Sequence, residues 1–443
     1  MFEYDPVIYS RILTGLTLGF HVIFATIGVG IPLMIALAEW IGIKRNDEHY
    51  RLLARRWARG FVITVAIGVV TGTAIGLQLS LLWPSFMQVA GHAISLPMFM
   101  ETFAFFFEAI FLGIYLYTWD RFKKKIYHFL LLIPVVIGAA ASGFFISTVN
   151  AFMNAPTGFE IVDGFVANIN PLAAMFNPAT PTKVAHVLSS AYLTSAFILA
   201  AIAAIALLRG ENHVYHKKAL NLTMTVAAVF AIATALIGDL SGKYLAEYQP
   251  EKLAAAEWHF ETSTEAPLIL GGVLREDNQV EYALEIPYAL SILAHGSPGA
   301  EVIGLEEFPE EDLPPLIVHY FFDAMVGIGM YLAVVSIVYV LMSRKRSWNE
   351  LNKPLLWAIF AGGPLAMIAI EMGWFFTEIG RQPWILVGYM RTAEGATTAN
   401  HVDIMLYLFI ALYTILAVTC ITVLRKMFKS NPVEKELKDR GME

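Results

Sequence analysis

Residues 354–384 read PLLWAIFAGGPLAMIAIEMGWFFTEIGRQPW. Residues 354–378 are nearly all apolar. They are long enough to cross a bilayer as a helix, which takes about 20 such residues. Two carboxylates interrupt the run. Glu371, Trp374 and Glu378 stand at i, i+3 and i+7 and share one helical face. The segment then stops on a polar turn, Gly380-Arg381-Gln382-Pro383-Trp384. An acid at the edge of a hydrocarbon slab is costly, and its default reading is functional.

The whole chain is of this kind. Its 443 residues are 57% hydrophobic and 15% charged, with a mean hydropathy of +0.60. Soluble domains carry about 25% charge, so the fold class is an all-α polytopic membrane protein. No nucleic-acid partner is expected. Nine apolar stretches qualify as spans: 12–43, 60–84, 95–119, 127–152, 183–208, 218–242, 316–342, 354–378 and 401–424. The opening Met1-Phe2-Glu3-Tyr4-Asp5-Pro6 has no basic region, so the first span reads as retained. Spans 1–4 and 5–8 are expected to form two four-helix bundles, with span 9 extra. Of the 30 Lys and Arg, 23 fall in the connections after spans 1, 3, 5 and 7 and in the tail, with Lys345 and Arg346 among them. The positive-inside rule then places the N-terminus outside and the C-terminus in the cytoplasm.

The one long connection, 243–315, lies on the outer side and carries fifteen Asp and Glu against three Lys and Arg. Its stretches 266–274 and 282–293 are apolar enough to fold back onto the membrane part. The segments are thus 1–152 (spans 1–4), 153–242 (spans 5–6), 243–315, 316–424 (spans 7–9) and a tail, 425–443. Gly68, Gly72 and Gly76 on span 2 stand four apart, which serves close helix packing or a cofactor surface.

Cys420 is the single cysteine, so neither an intrachain disulfide nor an iron–sulfur cluster can form. Any metal falls to His, Met or carboxylate. Of the eleven histidines, His21 and His186 lie within spans. Each is either a hydrogen-bonded packing residue or a ligand or proton carrier. No span carries the His-x(12–14)-His spacing of a stacked bis-His haem pair. Glu101 and Glu108 are seven apart on one face of span 3, which suits a proton path, metal chemistry or structural hydrogen bonds. Asp239 and Asp323 near outer span ends, and Glu39 near an inner one, read as interfacial. Met325 on span 7 is core filler unless it faces a histidine; His186 starts span 5 from the same side, and such a pair can fill both axial positions of a haem iron.

These residues together resemble subunit I of the cytochrome bd quinol oxidases. The match runs from Tyr9-Ser10-Arg11 and His21, through Gly68–Gly72 with Gln78, to Glu101 and Glu108. It continues with His186, Tyr192 and Thr194, with Gly238-Asp239, and with Lys252, Leu253–Ala255 and Glu257. Met325-Val326-Gly327 and Glu378 with Gly380–Trp384 complete it. Leu79-Ser80-Leu81-Leu82-Trp83 departs from the family's usual second helix, and Asp323 stands where some members have Arg.

The resemblance implies low-spin haem b on His186 and Met325. It implies a high-spin haem b and a haem d on His21 and Glu378, in undetermined order, with Arg381 beside them. Glu101 and Glu108 are implied in proton delivery, Trp374 in the route between haems, and Lys252 and Glu257 in quinol binding on the 243–315 loop, of the short type. The implied activity is oxidation of ubiquinol or menaquinol with reduction of O2 to water in a bacterial cytoplasmic membrane. It implies a second membrane subunit (subunit II) and leaves a small single-span subunit open. Two rival readings are a proton-coupled transporter and a non-catalytic haem b anchor.

Overall fold

The computed structural model describes residues 4–162, 165–276, 278–344 and 352–442. Residues 1–3 of the opening stretch, Lys345 and Arg346 of the basic count and Asp277 of the acidic loop lie outside the described residues. Among the described residues nine helices are long and apolar enough to cross a membrane. They are α1 Pro6–Lys44, α2 Glu48–Leu82, α3 Pro84–Tyr117, α4 Leu132–Asn154, α5 Thr180–Leu208, α6 Val214–Tyr248, α7 Val318–Ser343, α8 Lys353–Ile379 and α9 Val402–Ser430. In lipid a helix satisfies its own backbone polar groups, so each apolar stretch becomes one.

Several helices outrun the stretches expected from hydropathy. The helix α2 begins at Glu48 because Asp47 caps it, accepting from His49 N at 3.0 Å. Its basic first turns find partners: Arg51 pairs with Glu48 at 2.5 Å and Arg55 with Asp120 at 3.2 Å. Backbone hydrogen bonding is indifferent to side-chain polarity, so paired charges do not stop a helix. Between α2 and α3 only Trp83 intervenes, where Pro84 has no N–H to continue the ladder. The helix α6 runs on to Tyr248, so the long loop begins at Gln249 and not at 243.

Helices α1 to α4 pack as α1 on α2, α2 on α3, α3 on α4 and α4 on α1. Helices α5 to α8 close in the same way, α5 on α6, α6 on α7, α7 on α8 and α8 on α5. The two groups meet through α5, which packs on α1 and α4, and α9 lies outside on α1 and α2. The apolar window of α5 is 72% buried against 17% for α9, so α5 is the central helix. Outward-facing Leu77, Phe103, Ile110, Leu236, Val334 and Leu408 leave an apolar belt suited to lipid.

The loop after α6 folds into a small cap. A short helix, Pro250–Ala256, and another, Ala289–His295, bury Leu253, Ala255, Ala266, Leu290 and Ala294 against Val318 and Phe376. Three short antiparallel pairs hold it: Ser263–Thr264 with Glu301–Val302, Leu268–Leu270 with Leu284–Ile286, and Val273–Leu274 with Val280–Glu281. The fold-back expected of 282–293 holds for Leu290 but not for Tyr282, Leu284 or Ile286, which point outward. On the opposite side a terminal helix, Val433–Asp439, closes beneath the bundle. Glu436 accepts from Arg56 at 2.6 Å and Arg59 at 2.9 Å, and Met442 O accepts from His213 Nε2 at 3.0 Å.

The α5–α8 contact depends on glycine. A Cβ at Gly362 would lie 2.6 Å from Phe197 Cδ1, and one at Gly363 2.7 Å from Ala201 Cβ. Gly363→Val is therefore expected to cost about 1–3 kcal/mol through overpacking. Thermal unfolding in detergent should show a lower midpoint, while Gly28→Ala, with no atom within 4 Å, should leave it in place.

Candidate functional site

On α1, His21 points at the glycine face of α2. A Cβ at Gly72 would lie 3.2 Å from His21 Cε1. His21 Nδ1 lies 2.9 Å from Thr71 Oγ1, which lies 2.9 Å from Ile67 O. When Thr71 donates its proton to Ile67 O, its Oγ1 accepts from His21. Nδ1 then carries the imidazole proton and leaves Nε2 bare, with no hydrogen bond among the described residues. That is how a ligating histidine is oriented by a neighbour. Glu371 on α8 faces the same helix, its Oε2 3.4 Å from where a Cβ at Gly19 would sit.

His186 on α5 and Met325 on α7 stand on diagonal helices of the second bundle, each of which packs on both α6 and α8. The intervening helices offer glycine at the matching places. A Cβ at Gly238 on α6 would lie 3.7 Å from His186 Cε1, and one at Gly373 on α8 3.0 Å from Met325 Sδ. His186 Nδ1 is buried and has no hydrogen-bond partner.

Glu378 closes α8 and has both oxygens held. Oε1 accepts from Asn150 Nδ2 on α4 at 2.5 Å, and Oε2 from Arg381 at 2.6 Å. Arg381 also donates to Ile385 O at 2.9 Å, and its buried Nε has no partner. Lys252 enters from the loop, donating to Thr377 O at 3.2 Å and Asn154 Oδ1 at 3.4 Å, with its ammonium 5.0 Å from the Phe376 ring centre. Burial, aided by Arg381, pushes the Lys252 ammonium down to about 8, against the pull of Glu378. Lys183 at the start of α5 also interacts with Glu378. Arg381 thus pairs directly with the carboxylate, and the two lysines act on it through charge. Trp374 is half-buried on α8, one turn before Glu378.

Glu257 stands apart from Lys252. It is fully buried, accepts from Ile269 N at 3.3 Å through Oε2, and leaves Oε1 without a partner. Burial first, then Asp323, hold its carboxyl well above the usual range. Around it the loop is pinned to α7. His319 contacts Ala256 O at 2.7 Å, Gly271 O at 3.0 Å and Asp323 at 3.2 Å, with Trp258 stacked at 3.9 Å. On α3, Glu101 accepts from Ser142 at 2.9 Å. Glu108 is buried where α4 comes close, a Cβ at Gly138 lying 3.0 Å from Glu108 Cβ.

Sequence reasoning gave no role to Thr71, Asn150, Asn154, Gly373 and His319. Only Asn150 and Asn154, four apart at the end of an apolar helix, carried a readable sign.

The profile of the family described as cytochrome bd terminal oxidase subunit I matches residues 9–432. The chain belongs to that family. It is a subunit of a bd-type quinol terminal oxidase, a multi-pass membrane protein. A solved structure of the bd oxidase from Geobacillus thermodenitrificans superimposes with a TM-score of 0.94 at 67% identity, covering 98% of this chain and 100% of that one. A Bacillus subtilis (strain 168) protein provisionally named cytochrome bd menaquinol oxidase subunit I is 41% identical, over 98% of this chain and 99% of its own length. A second from that organism, cytochrome bd ubiquinol oxidase subunit 1, is 31% identical over 93% and 91%.

Glu257 gives this subunit a pH signature. Its raised carboxyl stabilises the fold fully below the ordinary value of 4.5 and loses that contribution as pH rises through the raised value. Thermal midpoints are expected to fall with rising pH over that window. Glu257→Gln should flatten the fall, as measured by unfolding at a series of pH values.

Proposed function

We propose that this chain is the haem-bearing subunit that oxidises membrane quinol at the outer face and reduces O2 to water. Its protons come from the cytoplasm, and it charges the membrane without pumping. The observation that carries this reading is the matching of three of the four candidate ligands to glycine: His21 to Gly72, His186 to Gly238 and Met325 to Gly373. A flat macrocycle needs such slots, and the donor set of imidazole, thioether and carboxylate is one that haem iron accepts.

His186 and Met325 would hold low-spin haem b, and His21 and Glu378 would each hold one of the high-spin haem b and haem d. When bound, haem supplies the storage of electrons and the chemistry of O2 reduction. The remaining work belongs to side chains. Thr71 fixes the tautomer of His21. Arg381 and Asn150 hold Glu378, and the positive charge of Arg381 and Lys252 there would seat haem propionates. Trp374 presents its ring on the face of Glu378.

In this reading the loop over α6 and α7 binds ubiquinol or menaquinol, with Lys252 and Glu257 as the polar contacts. Burial holds the Glu257 carboxyl well above its ordinary range, and its unpartnered Oε1 is the atom that would meet a quinol oxygen. Two quinols give four electrons to one O2 and release four protons outside. Four protons from the cytoplasm, passing Glu108 and Glu101, complete two waters. The charge distribution supports this sidedness, since 23 of 30 basic residues mark the cytoplasmic side. A second membrane subunit (subunit II) completes the enzyme in a bacterial cytoplasmic membrane.

The test is a reduced-minus-oxidised spectrum of the purified complex. His186→Ala and Met325→Leu are each expected to remove the low-spin haem b signal and leave the high-spin bands. All haems surviving either change would refute the ligand assignment, and a spectrum of low-spin haem b alone would favour a non-catalytic anchor.

A further inference from the structure

Glu39, Tyr115 and His128 form a triad at the ends of α1, α3 and the one-turn helix before α4. Their exposures are 3%, 0% and 4%, so this is a carboxyl group sealed in an apolar region with an imidazole. Tyr115 donates to Glu39 Oε2, and His128 Nδ1 lies 2.8 Å from Glu39 Oε1. His128 Nε2 lies 2.9 Å from Tyr115 O. That carbonyl can only accept, so Nε2 carries a proton. One further proton then lies between Nδ1 and Oε1, borne either by the carboxyl or by the imidazole. The pair is therefore a store for a single shared proton, with capacity for a second.

The triad's position gives the store a direction. Glu101, Glu108 and Tyr115 are each seven apart on α3 and share one stripe. At helical rise each step is about 10 Å, a gap about three hydrogen-bonded waters would cover. The other groups facing the triad are surface charges and rings. Arg51 on α2 interacts with Tyr115 and pairs with Glu48, as does Lys125 at 3.0 Å. Arg55 pairs with Asp120 and lies over the Trp119 ring, whose edge meets His128. From α4 come Leu132 and Val135, both apolar.

We propose that Glu39, His128 and Tyr115 are the station that loads protons onto the Glu108–Glu101 stripe from the cytoplasmic surface, an assignment resting on the uptake path proposed above. A proton arriving past Glu48 and Lys125 adds to the shared one, giving a neutral Glu39 carboxyl beside a cationic His128. The pair then releases one proton to the water leading to Glu108. One enters for each that leaves, and only O–H and N–H bonds change.

The test uses the purified two-subunit oxidase with its haems, assayed with a soluble quinol. Glu39→Gln keeps the shape and hydrogen-bonding reach but cannot titrate. It is expected to lower turnover about tenfold or more, with haem absorbance and quinol KM unchanged, and to lose more as pH rises between about 6 and 9. Glu39→Asp should recover most of the rate. Glu39→Gln turning over within about twofold of the parent, with the parental pH profile, would overturn the assignment. Glu108→Gln is measured alongside. If it runs at the parental rate, the uptake stripe itself is wrong. If it is slow while Glu39→Gln is normal, only the triad's role falls. Should Glu39→Gln lose its haems, Tyr115→Phe and His128→Gln decide: normal turnover in both overturns the proposal, and slow, pH-shifted turnover upholds it.

Discussion

Both oxygens of Glu378 are held from outside its own helix, by Asn150 reaching from α4 and Arg381 returning from the turn beyond α8. A carboxylate at a hydrocarbon edge needs such partners, or its desolvation goes uncompensated. The chain around it is arranged to supply them. Arg381 is steadied by Ile385 O, and the following Val387 N donates to Met153 O on α4 at 3.1 Å. Lys252 then joins the loop to Thr377 O and Asn154. One acidic group thus sets where α4, α8 and the loop must converge, and so joins the first bundle to the second.

The polar groups within the helices fall into two kinds. Three candidate iron ligands, His21, His186 and Met325, look onto glycine, while the fourth, Glu378, has both oxygens held. Two of the candidate proton carriers are engaged: Glu101 with Ser142, and Glu39 with Tyr115 and His128. A ligand must present a lone pair to a large planar group, so its surroundings need to be small. A proton carrier must hand its proton to something within hydrogen-bond reach, so its surroundings need to be polar. The same apolar bundle serves both by varying one neighbour at a time.

The nine spans were legible because length and hydropathy suffice to name a membrane helix, and Glu378, His21 and Glu108 stood out as costly exceptions. The helix ends were not, since α2 passes through Arg51, Arg55, Arg56 and Arg59 once each has a partner. The clamp on Glu378 was hidden because Asn150 lies 228 residues away along the chain. The triad was hidden for the same reason: Glu39 is 76 residues from Tyr115 and 89 from His128, and each alone passes for an interfacial residue. Lys252 and Glu257, five apart in the chain, looked like one patch, yet they engage different helices.

The clasp between Arg56, Arg59 and the terminal helix has a bearing on biosynthesis. Arg59 leaves the ribosome 377 residues before Glu436. Helix α2 is therefore made while those guanidinium groups, near its N-terminal end, still lack Glu436. Their neutralisation by Glu436 comes only after seven more helices have followed. The same two arginines begin as solvated charges and later become a lock on the finished bundle.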